Sequence, residues 1–159
     1  MITNLNQLAR EIVKNNQYLT LGTSDKNGNA WVSPVVYACD SDFNFYFISL
    51  PNSKHIKNLI NNSQVTFAIF NSRQMFGEGV GLQIEGIVKQ VPLIQLPKMI
   101  SIYITRKWPY MNNKIKVYLT GFQHLLKNHT YKAYKIIPNR VWMNDPNSEI
   151  DVRIEVKLR

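Results

Sequence analysis

Ser53 and Lys54 stand where an apolar run, Phe47-Ile48-Ser49-Leu50-Pro51, gives way to a helical pattern. A strand feeding directly into a helix there would gather the Ser53 hydroxyl, the free first-turn N–H groups and the Lys54 ammonium around one point. Such a point suits an anion, a phosphate above all. The structural alternative is an ordinary serine cap followed by an exposed lysine. Gly77-Glu78-Gly79-Val80-Gly81 is glycine-rich, yet a strand pattern follows it and the Lys-Ser/Thr of a phosphate loop is missing, so it reads as the entry to a strand. His55, His124 and His129 share no metal-ligand spacing, and no metal site is expected. Asp40 and Asp42 read as turn residues, whose carboxylates bond their own backbone, and Asp145 with Asp151 forms no convincing catalytic pair. Cys39 is the only cysteine, which excludes an internal disulfide and a cysteine zinc site; it reads as a small filler at a strand end. No hydrolase constellation emerges.

The elements that must hold these residues show in the hydrophobic period. Leu5, Leu8, Ala9, Ile12 and Val13 repeat at helical spacing up to Asn15-Asn16. Tyr18 to Thr23 reads as a strand, Asn27-Gly28 as a hairpin turn, and Trp31 to Ala38 as the return strand. Asp40-Ser41-Asp42 turns the chain into a third strand, Asn44 to Leu50, and the three are expected to form an antiparallel meander. Ile56, Leu59 and Ile60 mark one face of the short helix after Ser53. Val65 to Phe70 reads as a central strand, and Gly81 to Val91 as a strand with Leu82, Ile84 and Val88 turned inward. Pro92 and Pro97 bracket the start of a helix that carries Ile100, Tyr103 and Ile104 to Trp108-Pro109. Residues 110–129 are ambiguous: 114–119 alternate like a strand, whereas Phe122, Leu125 and Leu126 look helical. Lys132 to Ile137 and Arg140 to Met143 read as strands either side of Pro138-Asn139. Val152, Ile154, Val156 and Leu158 alternate with charged residues, a strand with one wet face. Seven or eight mostly antiparallel strands with about three helices predict a mainly β fold, a barrel with peripheral helices.

Composition bounds what such a chain can do. Its 159 residues suit a single domain spanning 1–159, and 45% hydrophobic content excludes general disorder. No apolar run approaches a membrane span and the N-terminus has no secretory pattern, so a cytoplasmic protein without a membrane partner is expected. The formal charge is +9, unevenly spread: residues 1–80 hold six basic and five acidic side chains, residues 81–159 thirteen and five. Between Glu85 and Asp145 there is no acidic residue. Such a field favours an anionic partner, or is simply a solvated basic face.

The succession of motifs from about Tyr18 to Val91 resembles the flavin mononucleotide (FMN)-binding split-barrel family that includes pyridoxamine 5'-phosphate oxidase. It runs through Leu19-Thr20-Leu21-Gly22-Thr23, Asn29-Ala30-Trp31-Val32-Ser33-Pro34-Val35, Phe45-Tyr46-Phe47-Ile48-Ser49, Ser53-Lys54, Asn61-Asn62-Ser63-Gln64-Val65 and Leu82-Gln83-Ile84-Glu85-Gly86. The resemblance implies an antiparallel split barrel of six or seven strands, a homodimer with the flavin at the subunit interface, and FMN as cofactor. By similarity Ser53 and Lys54 would hold the phosphate. Ser33, Pro34 and Val35 would lie along the ring or ribityl chain, Phe47, Ile48 and Ser49 would line the neighbouring strand, and Gln83 would offer a polar contact. Trp108 or Trp142 could reach a partner's site.

The departures sharpen that expectation. The vitamin-synthesising oxidases carry an Arg and a Lys where this chain has Val32 and Tyr37. They carry Arg-Lys where it has Ser53-Lys54, and Asp151-Val152-Arg153-Ile154 shows no Arg/His cluster for a substrate phosphate. The likeness is therefore to shorter bacterial members, and the function implied is an FMN-dependent oxidoreductase acting on a small molecule, with no assigned acid or base. The rivals are a binding protein holding flavin, deazaflavin or haem without turnover, and a nucleic-acid-binding barrel using Tyr103, Trp108, Tyr110 and Tyr118, the least favoured reading.

Overall fold

The structure is a computed structural model and describes residues 4–109, 122–126 and 130–159. Helix α1 (Leu5–Asn15) opens the chain, its first turn capped by Asn4, whose Oδ1 accepts from Gln7 N at 2.9 Å. Strands β1 (Tyr18–Ser24), β2 (Ala30–Val36), β3 (Ala38–Cys39) and β4 (Phe45–Ser49) follow, then α2 (Lys54–Asn61). The chain continues through β5 (Gln64–Phe70), β6 (Gly81–Gln90), a 3-10 turn over Leu93–Gln95, α3 (Leu96–Thr105), β7 (Lys132–Asn144) and β8 (Arg153–Glu155). Residues 122–126 are helical, with Phe122 and Leu125 buried as their spacing predicts; the strand-like alternation of 114–119 lies outside the described residues.

The strands form one antiparallel sheet in the order β2-β1-β5-β6-β7-β4-β3, with β8 on β7. It curls into a half-barrel around Leu19, Leu21, Phe45, Phe67, Leu82 and Ile136, with α1 packed on the same core through Ala9 and Val13. This is the split barrel that the resemblance implied. The central place of β5 and the inward Leu82, Ile84 and Val88 of β6 agree with the sequence pattern.

Four details differ from the sequence expectation. First, the return strand of the hairpin is broken at Tyr37. Its N–H bonds Gln17 O at 3.1 Å, its buried ring turns inward and its hydroxyl donates to Val13 O at 2.6 Å. The chain thus leaves β1 and joins β4 as β3, so β2 and β4 share no ladder and the expected three-stranded meander is split across two ends of the sheet. Second, β7 runs unbroken through Pro138, because the register shifts between Glu85 and Gly86 opposite it, where a missing N–H costs no ladder bond. Third, the buried face of α2 is His55, Ile56 and Asn58, while Ile60 is 77% exposed. Asn58 Nδ2 donates to Thr23 Oγ1 and Asn62 Nδ2 to Ser24 Oγ, both at 3.1 Å, which fixes that helix rotation against β1. Fourth, the C-terminal strand is short; Val156 and Leu158 nonetheless bury themselves in the core.

Among the described residues no helix is long and apolar enough to cross a membrane.

Candidate functional site

The split between β2 and β4 is where the predicted residues meet. In β2 the side chains alternate, Ser33 and Val35 buried and Pro34 outward. In β4 Phe47 and Ser49 are buried and Ile48 is half-buried. Since the two strands exchange no backbone bonds, something else must join them. That is His55 in the first turn of α2, whose Nδ1 lies 3.1 Å from Ser33 Oγ and whose Nε2 lies 2.8 Å from Ser49 Oγ. Burial alone lowers the His55 pKa below its ordinary value, so the ring bridging the two strands is neutral near pH 7.

Ser53 adds a third hydroxyl to the same ring, its Oγ standing 3.2 Å from His55 Nε2 and 3.2 Å from Ser49 Oγ. It occupies the N-cap position without capping: its proton goes to Leu50 O at 2.8 Å, and no side chain caps the helix. The first-turn N–H groups of α2 therefore have no acceptor from their own cap, as an anion-binding helix start requires. Lys54 is exposed beside them. It contributes to holding the Asp25 carboxyl below its usual value, after the larger effect of the Asn29 hydrogen bonds.

A cleft of about 410 Å³ opens over this group, lined by Pro34, Val35, Ile48, Ser49, His55 and the rings of Tyr18, Tyr103 and Tyr131. Four of the nine expected cofactor residues thus line one cleft, and Ser33 and Ser53 join it through His55. Phe47 lies behind the wall, stacked on Tyr134 with ring centroids 5.2 Å apart and 6.3 Å from the imidazole. Gln83 lies apart, exposed on β6, with its Oε1 accepting from Arg153 Nε at 3.0 Å. Opposite it on β7, Trp142 carries the Arg140 guanidinium 4.4 Å above its ring. Trp108 packs against Arg106 at 4.5 Å, and Tyr103 is buried with its hydroxyl donating to Tyr46 O.

His55 is the residue sequence reasoning missed. Its partners are 22 residues before it and six before it, and only the topology brings them together. The available signal was the pair of serines at inward strand positions, which need polar partners once buried.

Structural comparisons show a widely shared fold. The haem storage protein HutZ of Vibrio cholerae matches with a TM-score of 0.69 at 14% identity over 87% of this chain and 94% of its own. A haem-binding protein of Mycobacterium smegmatis matches with 0.73 at 13% identity over 98% of this chain and 59% of its own. A FAD-binding protein of Mesorhizobium loti matches with 0.63 at 17% identity over 86% and 91%. Identities this low carry the fold alone. No curated protein sequence matches the chain. At the family level the match is direct: the pyridoxamine 5'-phosphate oxidase family model covers residues 5–115, well over half of the sequence, and the chain belongs to that family.

Proposed function

We propose that this protein is a cytoplasmic flavoprotein that binds FMN noncovalently at the cleft beside the N-terminus of α2 and acts as an oxidoreductase on a small molecule. The observation that carries this reading is the convergence of three serine hydroxyls on one buried imidazole, beside an uncapped helix start and an apolar cleft. The residues fit the cofactor's chemistry. A phosphate only accepts, and the first-turn N–H groups of α2 and the Lys54 ammonium offer donors and positive charge. A flat aromatic ring needs an apolar wall, which Pro34, Val35 and Ile48 supply with the tyrosine rings. No acidic side chain lines the cleft among the described residues.

Bound flavin supplies hydride transfer. The chain's own part is to bind, orient and exclude water. Neutral His55 places no charge against the ring and holds β2 and β4 at a fixed separation. Phe47 braces the wall from behind. A homodimer completes the site in this reading: the outward side chains Tyr18 and Val36, paired across β1 and β2, continue through Pro34 to Val32 as an exposed apolar row. A second copy of the chain would cover that row and close the cleft. Gln83 lies on the same outer face, sharing a groove with Val32 and Trp142, and would meet the cofactor across the interface.

The second reading is a binding protein that holds flavin, deazaflavin or haem without turnover; two structural neighbours described as haem proteins favour it. One purification separates these. The proposal expects a yellow protein, or one that gains colour and heat stability with added FMN. A colourless protein whose melting temperature ignores FMN overturns it, and a haem spectrum would install the second reading. Reduction of the bound flavin by NADH or NADPH, with reoxidation by a quinone, distinguishes an enzyme from a store.

A further inference from the structure

Six polar groups form one line through the site. Trp31 Nε1 donates to Ser33 Oγ at 2.9 Å, and Ser33 Oγ lies 3.1 Å from His55 Nδ1. His55 Nε2 lies 2.8 Å from Ser49 Oγ and 3.2 Å from Ser53 Oγ, and Ser53 donates to Leu50 O at 2.8 Å. The two ends of this line each act in one way. An indole N–H donates and never accepts; a carbonyl accepts and never donates. Between them the proton positions follow.

Trp31 occupies a lone pair of Ser33, whose own proton then finds its acceptor in the line at His55 Nδ1. A neutral imidazole that accepts at Nδ1 carries its proton on Nε2 and donates it to Ser49. Ser53 has spent its proton on Leu50 O. The Ser49 proton is thus left with only the longer contact to Ser53 Oγ, at 3.2 Å, and Ser49 lines the cleft. In the opposite tautomer, Nδ1–H would fill the second lone pair of Ser33 Oγ, the Ser33 proton would find no acceptor in the line, and Ser49 would give its proton to Nε2.

We propose that His55 is a positioning residue that makes Ser49 a hydrogen-bond donor toward the occupant of the cleft, and that Trp31 sets this polarity from the far end through Ser33. The class of group recognised follows: Ser49 selects an acceptor, a carbonyl or phosphate oxygen or an unprotonated ring nitrogen, and discriminates against a donor at the same place. The low proton affinity of the buried ring agrees with a line that has no room for a second imidazole proton.

This inference rests on the cleft being the ligand site, and the test keeps the two apart. Nitrogen NMR of the full chain without ligand reads the His55 tautomer directly. The proton is expected on Nε2, with the Nδ1–H form gaining population in Trp31→Phe. A wild-type Nδ1–H ring, or a tautomer indifferent to Trp31→Phe, overturns the proposal whether or not the protein binds flavin. FMN titration is the second readout. His55→Leu should weaken binding about tenfold, the loss of roughly one well-placed hydrogen bond. His55→Gln, whose amide can accept from Ser33 and donate to Ser49, should recover most of that loss. Equal losses in two variants that melt as folded proteins overturn the positioning role. If wild-type protein ignores FMN, the flavin reading falls while the tautomer measurement still decides this one.

Discussion

His55 Nε2 stands 2.8 Å from Ser49 Oγ, so α2 is fastened back onto the strand from which it has just emerged. The opposite nitrogen reaches Ser33 on a strand that β4 never pairs with, and a single side chain thereby bridges the split of the barrel. A titratable group in that position ties the fold to pH.

Burial holds the His55 pKa below its ordinary 6.5. The unfolded chain therefore takes up a proton that the folded ring refuses. Stability should be independent of this group above pH 6.5, fall as the pH drops below it, and level off once the folded ring also protonates. The lowered carboxylates are Asp25, held chiefly by Asn29, and Asp40, where hydrogen bonds from Asn44 and Tyr46 outweigh burial. Both act below their ordinary 3.8, so they do not share this window. Urea melts between about pH 7.5 and about pH 5 check it. Wild type should lose stability on acidification and His55→Gln should lose less; parallel curves would refute the assignment.

Lys54 is the first residue of α2, and it is exposed. Lys54→Ala should weaken FMN binding by about tenfold, toward the lower end for a charge-assisted contact because water screens it. The wild-type affinity should fall with added salt and the variant's should fall less. Equal salt dependence in the two proteins would remove Lys54 from the phosphate site.

The hairpin of β1 and β2 was legible because its turn chemistry is local: Gly28 adopts φ of 82°, a conformation suited to glycine, while Asp25 accepts from Asn27 N and Asn29 N. The inward face of β6 was legible for the same reason, its alternation being continuous. The split was not, since nothing in the local pattern shows that Tyr37 turns inward to reach Val13 O and breaks its strand. Nor was the orientation of α2. Its apolar spacing favours Ile60, yet hydrogen bonds from Asn58 and Asn62 to β1 rotate that residue into solvent. The expected cofactor residues came from a resemblance; the imidazole that joins three of them depends on contacts no linear spacing displays.

Phe47 has no solvent exposure and stacks on Tyr134 at 5.2 Å, so its part is structural. Phe47→Leu should cost about 1–2 kcal/mol of stability. FMN affinity of the folded variant should stay within about threefold, because the cleft-facing side chains are untouched. Thermal melts and a flavin titration on the same preparation measure both. A large loss of affinity without loss of stability would instead put the Phe47 ring in the cleft wall.

Gly86 sits at the register shift opposite Pro138, and a Cβ there would lie 2.8 Å from Ile137 O and 3.0 Å from Ile136 Cγ2. A backbone carbonyl within a ladder cannot retreat as a flexible side chain can. Gly86→Ala should therefore destabilise by about 1–3 kcal/mol. Gly79→Ala is the control, since its nearest neighbour would be Gln74 Nε2 at 3.8 Å. Denaturant midpoints should separate the two; similar midpoints would mean that the bulge relaxes.

The proposed homodimer is tested most directly on the outer face of β2. Val32 is 60% exposed and Tyr18 54%, and both lie on the apolar row beside the cleft. A carboxylate at Val32 would have to be desolvated on association, so Val32→Asp should abolish the dimer without touching the core. Light scattering should give twice the chain mass for wild type and the single mass for the variant, with similar melting temperatures at high dilution. If the flavin lies between two copies, the monomeric variant should bind FMN at least about tenfold more weakly, having lost one wall of the site. A monomeric wild type that binds FMN would refute the dimer. A monomeric Val32→Asp variant with full affinity would place the whole site on one chain.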